Sequence, residues 1–302
     1  MKLYDDRFGY LGQFSLMQCK QCSHAFLVCD LSSIQLIDLY TNYYPRKSFD
    51  IENYAAYRES LRFFTWFNGY DSSAFRWVPK NVRILDVGCG FGESLGYHSS
   101  RGCDVYGVEA DENIRRVIEK FGYKVHVGLF DDKLYEENFF DYVTMDQVIE
   151  HVTDPIAVMQ GISRILKPGG TAIFSTPNAN GWGRRLFGAR WINWHVPYHL
   201  QFFTQQSIEL AAEKTGLTLS EVTTRTNSEW LHYQWMHLVF YPRKGKSSRF
   251  WSSNKSGERL YQKVMVGFLV ILHKTKINHF LTRLFDAMTI GDNYIFVLKK
   301  PE

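Results

Sequence analysis

Three glycines at alternate positions, Gly88, Gly90 and Gly92, follow the run Ile84-Leu85-Asp86-Val87. Glycines in this pattern let a chain turn sharply out of a strand and bring its backbone against a ligand that side chains would exclude. A helix starting beyond them offers unpaired N–H groups at the same place. The next strand-like run, Asp104–Glu109, ends in Glu109, a carboxylate suited to the two hydroxyls of a ribose. A glycine loop alone is often only a turn, but joined to an acid at the end of the following strand it reads as a nucleoside site. Two details separate it from a dinucleotide site. The spacing is G-x-G-x-G and not G-x-G-x-x-G, and Asp86 stands just before the first glycine, where its charge repels a pyrophosphate and attracts an ammonium.

Proton transfer needs a different set of residues. His151 follows Glu150 close behind the strand-like run Phe140–Met145, and His199 lies in the aromatic stretch Trp191–Phe203. Both are candidate catalytic groups, because an imidazole titrates near neutral pH. His195, in the same stretch, reads instead as a core hydrogen-bonder that fixes a loop.

Alternating strands and helices must position these groups. Strands are expected at Val82–Val87, Asp104–Glu109, Lys124–Val127, Phe140–Met145, Thr171–Ser175, Leu217–Thr224 and Tyr294–Leu298. Between them, Glu93–Ser100, Asp111–Phe121 with Asp111 as N-cap, Pro155–Leu166 and Ser207–Thr215 read as helices. Lys167-Pro168-Gly169-Gly170 reads as the stop and turn after the third of these. Such alternation predicts an α/β fold with a doubly wound, mostly parallel sheet. Ahead of it, 46–80 reads as a helical lead-in, with Leu61, Phe64 and Phe67 at helical spacing and Gly69 and Pro79 as breakers. The core occupies 81–226, a basic and aromatic helical insertion 227–291, and the final strand 292–302.

At this point the chain resembles the class I S-adenosylmethionine-dependent methyltransferases. The resemblance rests on the glycine loop, on Phe140–Pro155, on Leu166-Lys167-Pro168-Gly169-Gly170 and on Ser175-Thr176-Pro177-Asn178. These runs look like the subgroup holding the ubiquinone-biosynthesis O-methyltransferases and bacterial sugar and natural-product tailoring enzymes. The resemblance implies seven strands with the last antiparallel, and S-adenosylmethionine as cofactor. That cofactor carries no phosphate, in keeping with Asp86. By position, Gly88, Cys89 and Gly90 would line its methionine portion above Asp86, and Glu109 would take the ribose. Asp131 is the candidate near the adenine, with Asp132 an equal competitor. Met145, Asp146 and Gln147 would face the reactive side. The ubiquinone-pathway relatives carry a Glu-x-x-Glu-His pattern that suits a metal. Here Gln147 replaces the first acid, so no metal is assigned.

The segment 1–45 resembles half a zinc ribbon. Cys19-Lys20-Gln21-Cys22 forms one knuckle, only His24 and Cys29 lie nearby, and Tyr43-Tyr44 follows as in related enzymes. Structural zinc takes four protein ligands, so a metal-free remnant is the expected state. Five cysteines and an opening stretch with Asp5, Asp6 and Arg7 point to a reducing, cytoplasmic setting. A net charge of +4 with no basic stripe argues against nucleic acid. The expected reaction is methyl transfer to a hydroxyl of a small, sugar or lipid-linked acceptor. A catalytically silent binding module and, further off, an NAD-dependent oxidoreductase are the alternatives. The insertion 227–291 has two open readings: a helical cap over the acceptor, or a peripheral membrane contact through Trp251 and Val264–Leu272 with lysines at the headgroups.

Overall fold

A computed structural model describes residues 1–29, 35, 39–43, 50–251 and 259–302; Tyr44, Pro45 and the start of the lead-in lie outside the described residues. Strands β1 (Lys2–Leu3), β2 (Phe14–Gln18) and β3 (Ala25–Val28) form a small antiparallel sheet. Its fourth strand comes from far along the chain. The seven core strands are β4 (Arg83–Val87), β5 (Asp104–Glu109), β6 (Lys124–Val127), β7 (Phe140–Asp146), β8 (Leu166–Pro177), β10 (Thr218–Arg225) and β11 (Asn293–Lys299). The short β9 (Gln201–Phe202) pairs with β3 and completes the small sheet. The large sheet runs β10-β11-β8-β7-β4-β5-β6, with β11 antiparallel to both neighbours and the other pairs parallel. The doubly wound, seven-stranded, mostly parallel α/β fold is therefore present.

Strands buried on both faces explain the near-continuous apolar runs of this core. Adjacent residues point to opposite sides. Leu85, Val143, Phe174 and Phe296 join one core cluster, while Ile84, Val105, Ile173 and Ile295 join the other. Helices α1 (Arg62–Asn68), α2 (Glu93–Ser99), α3 (Ile114–Phe121), α4 (Pro155–Ile165), α5 (Trp182–Phe187) and α6 (Gln205–Lys214) precede β10. The α4 start is fixed by Asp154, which accepts from the Ala157 N–H at 3.0 Å, and by Pro155 in the first turn. Helices α7 (Ser228–Val239), α8 (Leu260–Lys274) and α9 (Ile277–Ala287) form the insertion.

Three local expectations change. Among its described residues the lead-in holds one short helix, α1, closed by Gly69 at φ 74°, then the 3-10 turns Tyr70–Ser72 and Ala74–Trp77. Of the helically spaced residues, Leu61 precedes the helix as its N-cap, and Leu61 and Phe64 are exposed. Helix α3 starts at Ile114, because Asp111 is spent on a turn, accepting from the Asn113 N–H at 2.9 Å. Lys167–Gly170 does not separate α4 from its strand. Phe140 pairs with Leu166 and Tyr142 with Thr171, so these residues bulge out of β8 itself. Gly169 and Gly170 there exchange backbone bonds with Lys300.

Candidate active site

The glycine loop leaves β4 at the edge where the parallel strands end. Gly88 is at φ 75°, and a Cβ there would sit 2.4 Å from Val148 Cγ2. Gly90 is at φ 57° with open space where a Cβ would point, which leaves the loop's backbone free to meet a ligand. Cys89 contributes only its backbone to that surface. Its thiol is buried with Ile84, Leu95 and Val105, and burial raises its pKa well above the usual thiol value. Glu109 spans the loop from β5, accepting from the Gly90 N–H and the Asp111 N–H, each at 2.8 Å.

Asp86 lies beneath the loop, 3% exposed. It accepts from the Ser94 hydroxyl and, at 2.6 Å, from Thr144 Oγ1. Burial raises its pKa to about 6, the two hydroxyls pull it back, and the charges of Asp146 and Glu109 raise it further. An ammonium placed above it would favour the ionised form, so this donor set fits a cationic amino-acid end and not a phosphate. Tyr54, unremarked in the sequence, reaches over the loop and donates to the Gly92 carbonyl at 2.7 Å. Beyond β6, Asp132 is paired with Arg164, while Asp131 stays exposed and caps the turn at Lys133.

Past β7, Asp146 accepts from Ser175 Oγ and from the Ala74 N–H at 3.2 Å. Met145 is buried in the core. Gln147, at φ 57°, donates through Nε2 to Ser175 Oγ at 3.0 Å and to Asn293 Oδ1 at 2.8 Å. Asp146 and Gln147 line a polar cavity of about 80 Å³ with Ser73, Asn193, Trp230 and Asp292. Asp292 is 3% exposed and accepts from Trp191 Nε1 at 3.0 Å and Asn193 Nδ2 at 3.0 Å. Burial raises it to about 8. Its signal in the sequence was indirect: an antiparallel last strand must begin where the parallel ones end, and Asn293 pairs with Pro177 at that edge.

Neither His151 nor His199 is among the residues lining this cavity. They meet behind it, ring centroids 4.7 Å apart, with His195 alongside His199. His151 Nδ1 bonds the Tyr198 carbonyl and His199 Nδ1 the Asn193 carbonyl, each at 2.9 Å. Burial lowers the His151 pKa to about 4 and that of His199 well below its usual value. Glu150 Oε2 accepts from Thr176 Oγ1 at 3.1 Å, while its Oε1 has no hydrogen-bond partner among the described residues. Ligand-capable atoms of Glu150, His151 and His199 lie within 4.8 Å of one another. Two imidazoles oriented by backbone carbonyls and one carboxylate form a donor set that could hold a divalent cation such as zinc. Counting acids along one segment missed it, because His199 arrives from a distant loop. Cys19 and Cys22 lie in the hairpin turn between β2 and β3, and His24 Nε2 bonds Gln201 Oε1 at 2.9 Å.

A doubly wound sheet of this order, an alternate-glycine loop over a buried acid, and a second acid at the end of β5 define the class I S-adenosylmethionine-dependent methyltransferases. The chain belongs to the methyltransferase domain family, whose sequence model matches residues 54–222. It is similar to the ubiquinone biosynthesis O-methyltransferase of Thiobacillus denitrificans, 29% identical over 169 residues, covering 50% of this chain and 73% of that protein. The enzyme of the same description from Acinetobacter baumannii is 30% identical over 156 residues, covering 47% of this chain and 65% of that protein. Among solved structures, it is similar to phosphoethanolamine N-methyltransferase 2 of Haemonchus contortus with S-adenosyl-L-methionine. That likeness has 23% identity and a TM-score of 0.48, and covers 76% of this chain and 50% of that one.

Proposed function

We propose that this methyltransferase acts on a hydroxyl of a small or lipid-linked acceptor held in the cavity between Asp146 and Asp292. The observation that carries this reading is a buried carboxylate of raised pKa facing a polar cavity beside the cofactor loop. S-adenosylmethionine, when bound, supplies an electrophilic methyl group on a sulfonium, and its transfer to oxygen releases a neutral thioether. Gly88, Gly90 and Asp86 hold the methionine portion and Glu109 the ribose, while exposed Asp131 stands toward the adenine. Asp292 accepts the hydroxyl proton, since a base whose pKa lies near working pH is effective. Gln147 and Asn193 orient the hydroxyl. His151 and His199 act as positioning residues: His199 bonds the Asn193 carbonyl, and Asn193 in turn bonds Asp292. The relatives named for O-methylation support oxygen as the acceptor atom.

Calorimetry with S-adenosylmethionine and with NAD, followed by turnover on a panel of hydroxylated acceptors, tests this reading. Tight binding of the former alone is expected. Asp292→Asn should keep that affinity while lowering kcat by about 100-fold or more. It should also abolish the rise of kcat/KM with pH toward about 8. Full turnover in Asp292→Asn would remove the base, and failure to bind S-adenosylmethionine would remove the reading itself.

A further inference from the structure

Helix α9 is inside out. Its buried side chains are Asn278, His279, Thr282, Arg283 and Asp286, all polar, while Ile277, Phe280, Leu281 and Leu284 are exposed. An ordinary surface helix shows the opposite distribution. Helix α8 repeats the theme: it buries only Gln262 and Leu269 and exposes Val264, Met265, Phe268 and Ile271. Helix α1 buries nothing and exposes Phe63, Phe64 and Trp66. The Phe67 ring stacks on His279 at 5.3 Å and meets Phe280 edge-on at 5.4 Å, which joins the α1 aromatics to the outer face of α9. Soluble surfaces rarely carry so much contiguous apolar area without a partner.

Charge selects the partner. Between Arg259 and Ile290 the exposed ionic side chains are Arg259, Lys263, Lys274 and Lys276. The only acid there, Asp286, is buried against Arg283 at 2.8 Å. The three helices themselves expose cations and no anion, which complements an anionic bilayer. Pressed against its own copy, the face would set cation against cation. Helix geometry then fixes the mode. Fifteen residues of α8 extend about 22 Å, short of the roughly 30 Å hydrocarbon layer. No single helix among the described residues is long and apolar enough to cross a membrane, and α8 and α9 meet at a 65° bend. Arg283 donates to the Trp66 and Thr226 carbonyls, and Asp286 accepts from the Thr226 N–H and hydroxyl. These bonds tie α9 to the body, so it cannot swing out to form a span.

We propose that α1, α8 and α9 form a docking face for an anionic lipid bilayer. Their apolar side chains enter the headgroup boundary in the plane of the membrane, and Lys263, Lys274 and Lys276 meet the lipid phosphates. The face shares α1 with a cavity of about 720 Å³ lined by Arg62, Thr65, Trp66 and Asp71.

Vesicle co-sedimentation of the full chain tests this directly. The protein should bind phosphatidylcholine vesicles containing phosphatidylglycerol about tenfold or more tightly than phosphatidylcholine alone, and salt should weaken that binding. Phe268→Ser with Ile271→Ser should lower the affinity by about tenfold or more. Lys274→Glu with Lys276→Glu should cost at least about fivefold per lysine on anionic vesicles and nothing on neutral ones. All four positions are exposed, so circular dichroism and S-adenosylmethionine affinity should match the parent protein and separate lost docking from lost fold. A parent protein indifferent to both vesicle types, or variants that bind as the parent does, would overturn the proposal. So would a dimer in sedimentation velocity that the serine variants disperse without any vesicle binding.

Discussion

The glycine-loop half of the sheet and the α7–α9 cap bury polar groups for opposite reasons. Around the loop, apolar strands fill both faces, and buried Asp86, Ser94 and Thr144 converge beneath a ligand surface. In the cap, buried Arg283 and Asp286 of α9 bond to Thr226 and Trp66 and fasten the helix, while its large apolar side chains are mostly exposed. One is organised around a ligand surface; the other fastens a helix whose apolar side chains are left exposed, the face proposed above to meet a bilayer.

The largest expected effect tests the fastening. Arg283→Leu leaves Asp286 buried without its cation, so the native state should lose about 3–5 kcal/mol in urea or thermal unfolding. Affinity for S-adenosylmethionine below the melt should not change, because no loop residue touches Arg283. A melt equal to the parent's would show that the cap is held by something other than this pair.

The two regions also differ in how openly they declare themselves in the sequence. The loop half follows local rules: β5 and β6 have the bounds that their alternation and turn residues predict, and Asp86, the glycines and Glu109 fall within one strand–helix–strand unit. The polar cavity is assembled from 72–73, 146–147, 193, 226–227, 230 and 292–293, and no periodicity links such distant segments. Asp292 therefore carries no local signal, whereas His151, behind its strand, and His199, in an aromatic run, stand out from sequence alone. In α1 the helical period is present in the sequence but not its direction. Helical spacing of Leu61, Phe64 and Phe67 marks a face, and periodicity alone does not say whether that face looks inward.

The pH response of the loop half gives the next largest effect. Asp86 binds its proton more tightly in the folded chain, at about 6, than at its ordinary value of 3.8. The unfolded chain therefore releases a proton that the native state retains, and stability is fully present below 3.8 and lost as pH rises through 6. For Asp86 alone the loss is about 3 kcal/mol. Thermal melts of the ligand-free protein should fall across that window, and Asp86→Asn should flatten the fall. Asp292, raised to about 8, extends the decline upward. If the parent and Asp86→Asn melts run parallel with pH, this carboxylate is not the source. Gly88→Ala is expected to cost about 1–3 kcal/mol, because alanine is strained at positive φ and its Cβ meets Val148. The same change at Gly90 keeps the strain of positive φ but meets no protein atom, so it should cost less stability than at Gly88 and weaken cofactor binding.

The smallest effect is the sharpest test of the comparison. Leu85, in the loop half, is fully buried between β-strands, and Leu85→Ala should lower stability by about 2–5 kcal/mol through lost burial and the cavity left behind. Leu284, on the outer face of α9, is 55% exposed. If that face looks into water in the isolated protein, Leu284→Ser removes little packing, and urea unfolding should move by no more than about 0.5 kcal/mol. Two leucines in regular secondary structure would then differ several-fold in their contribution to folding. A loss at Leu284 as large as at Leu85 would mean that the outer face is covered within the protein itself. The opposition between the two regions would then disappear.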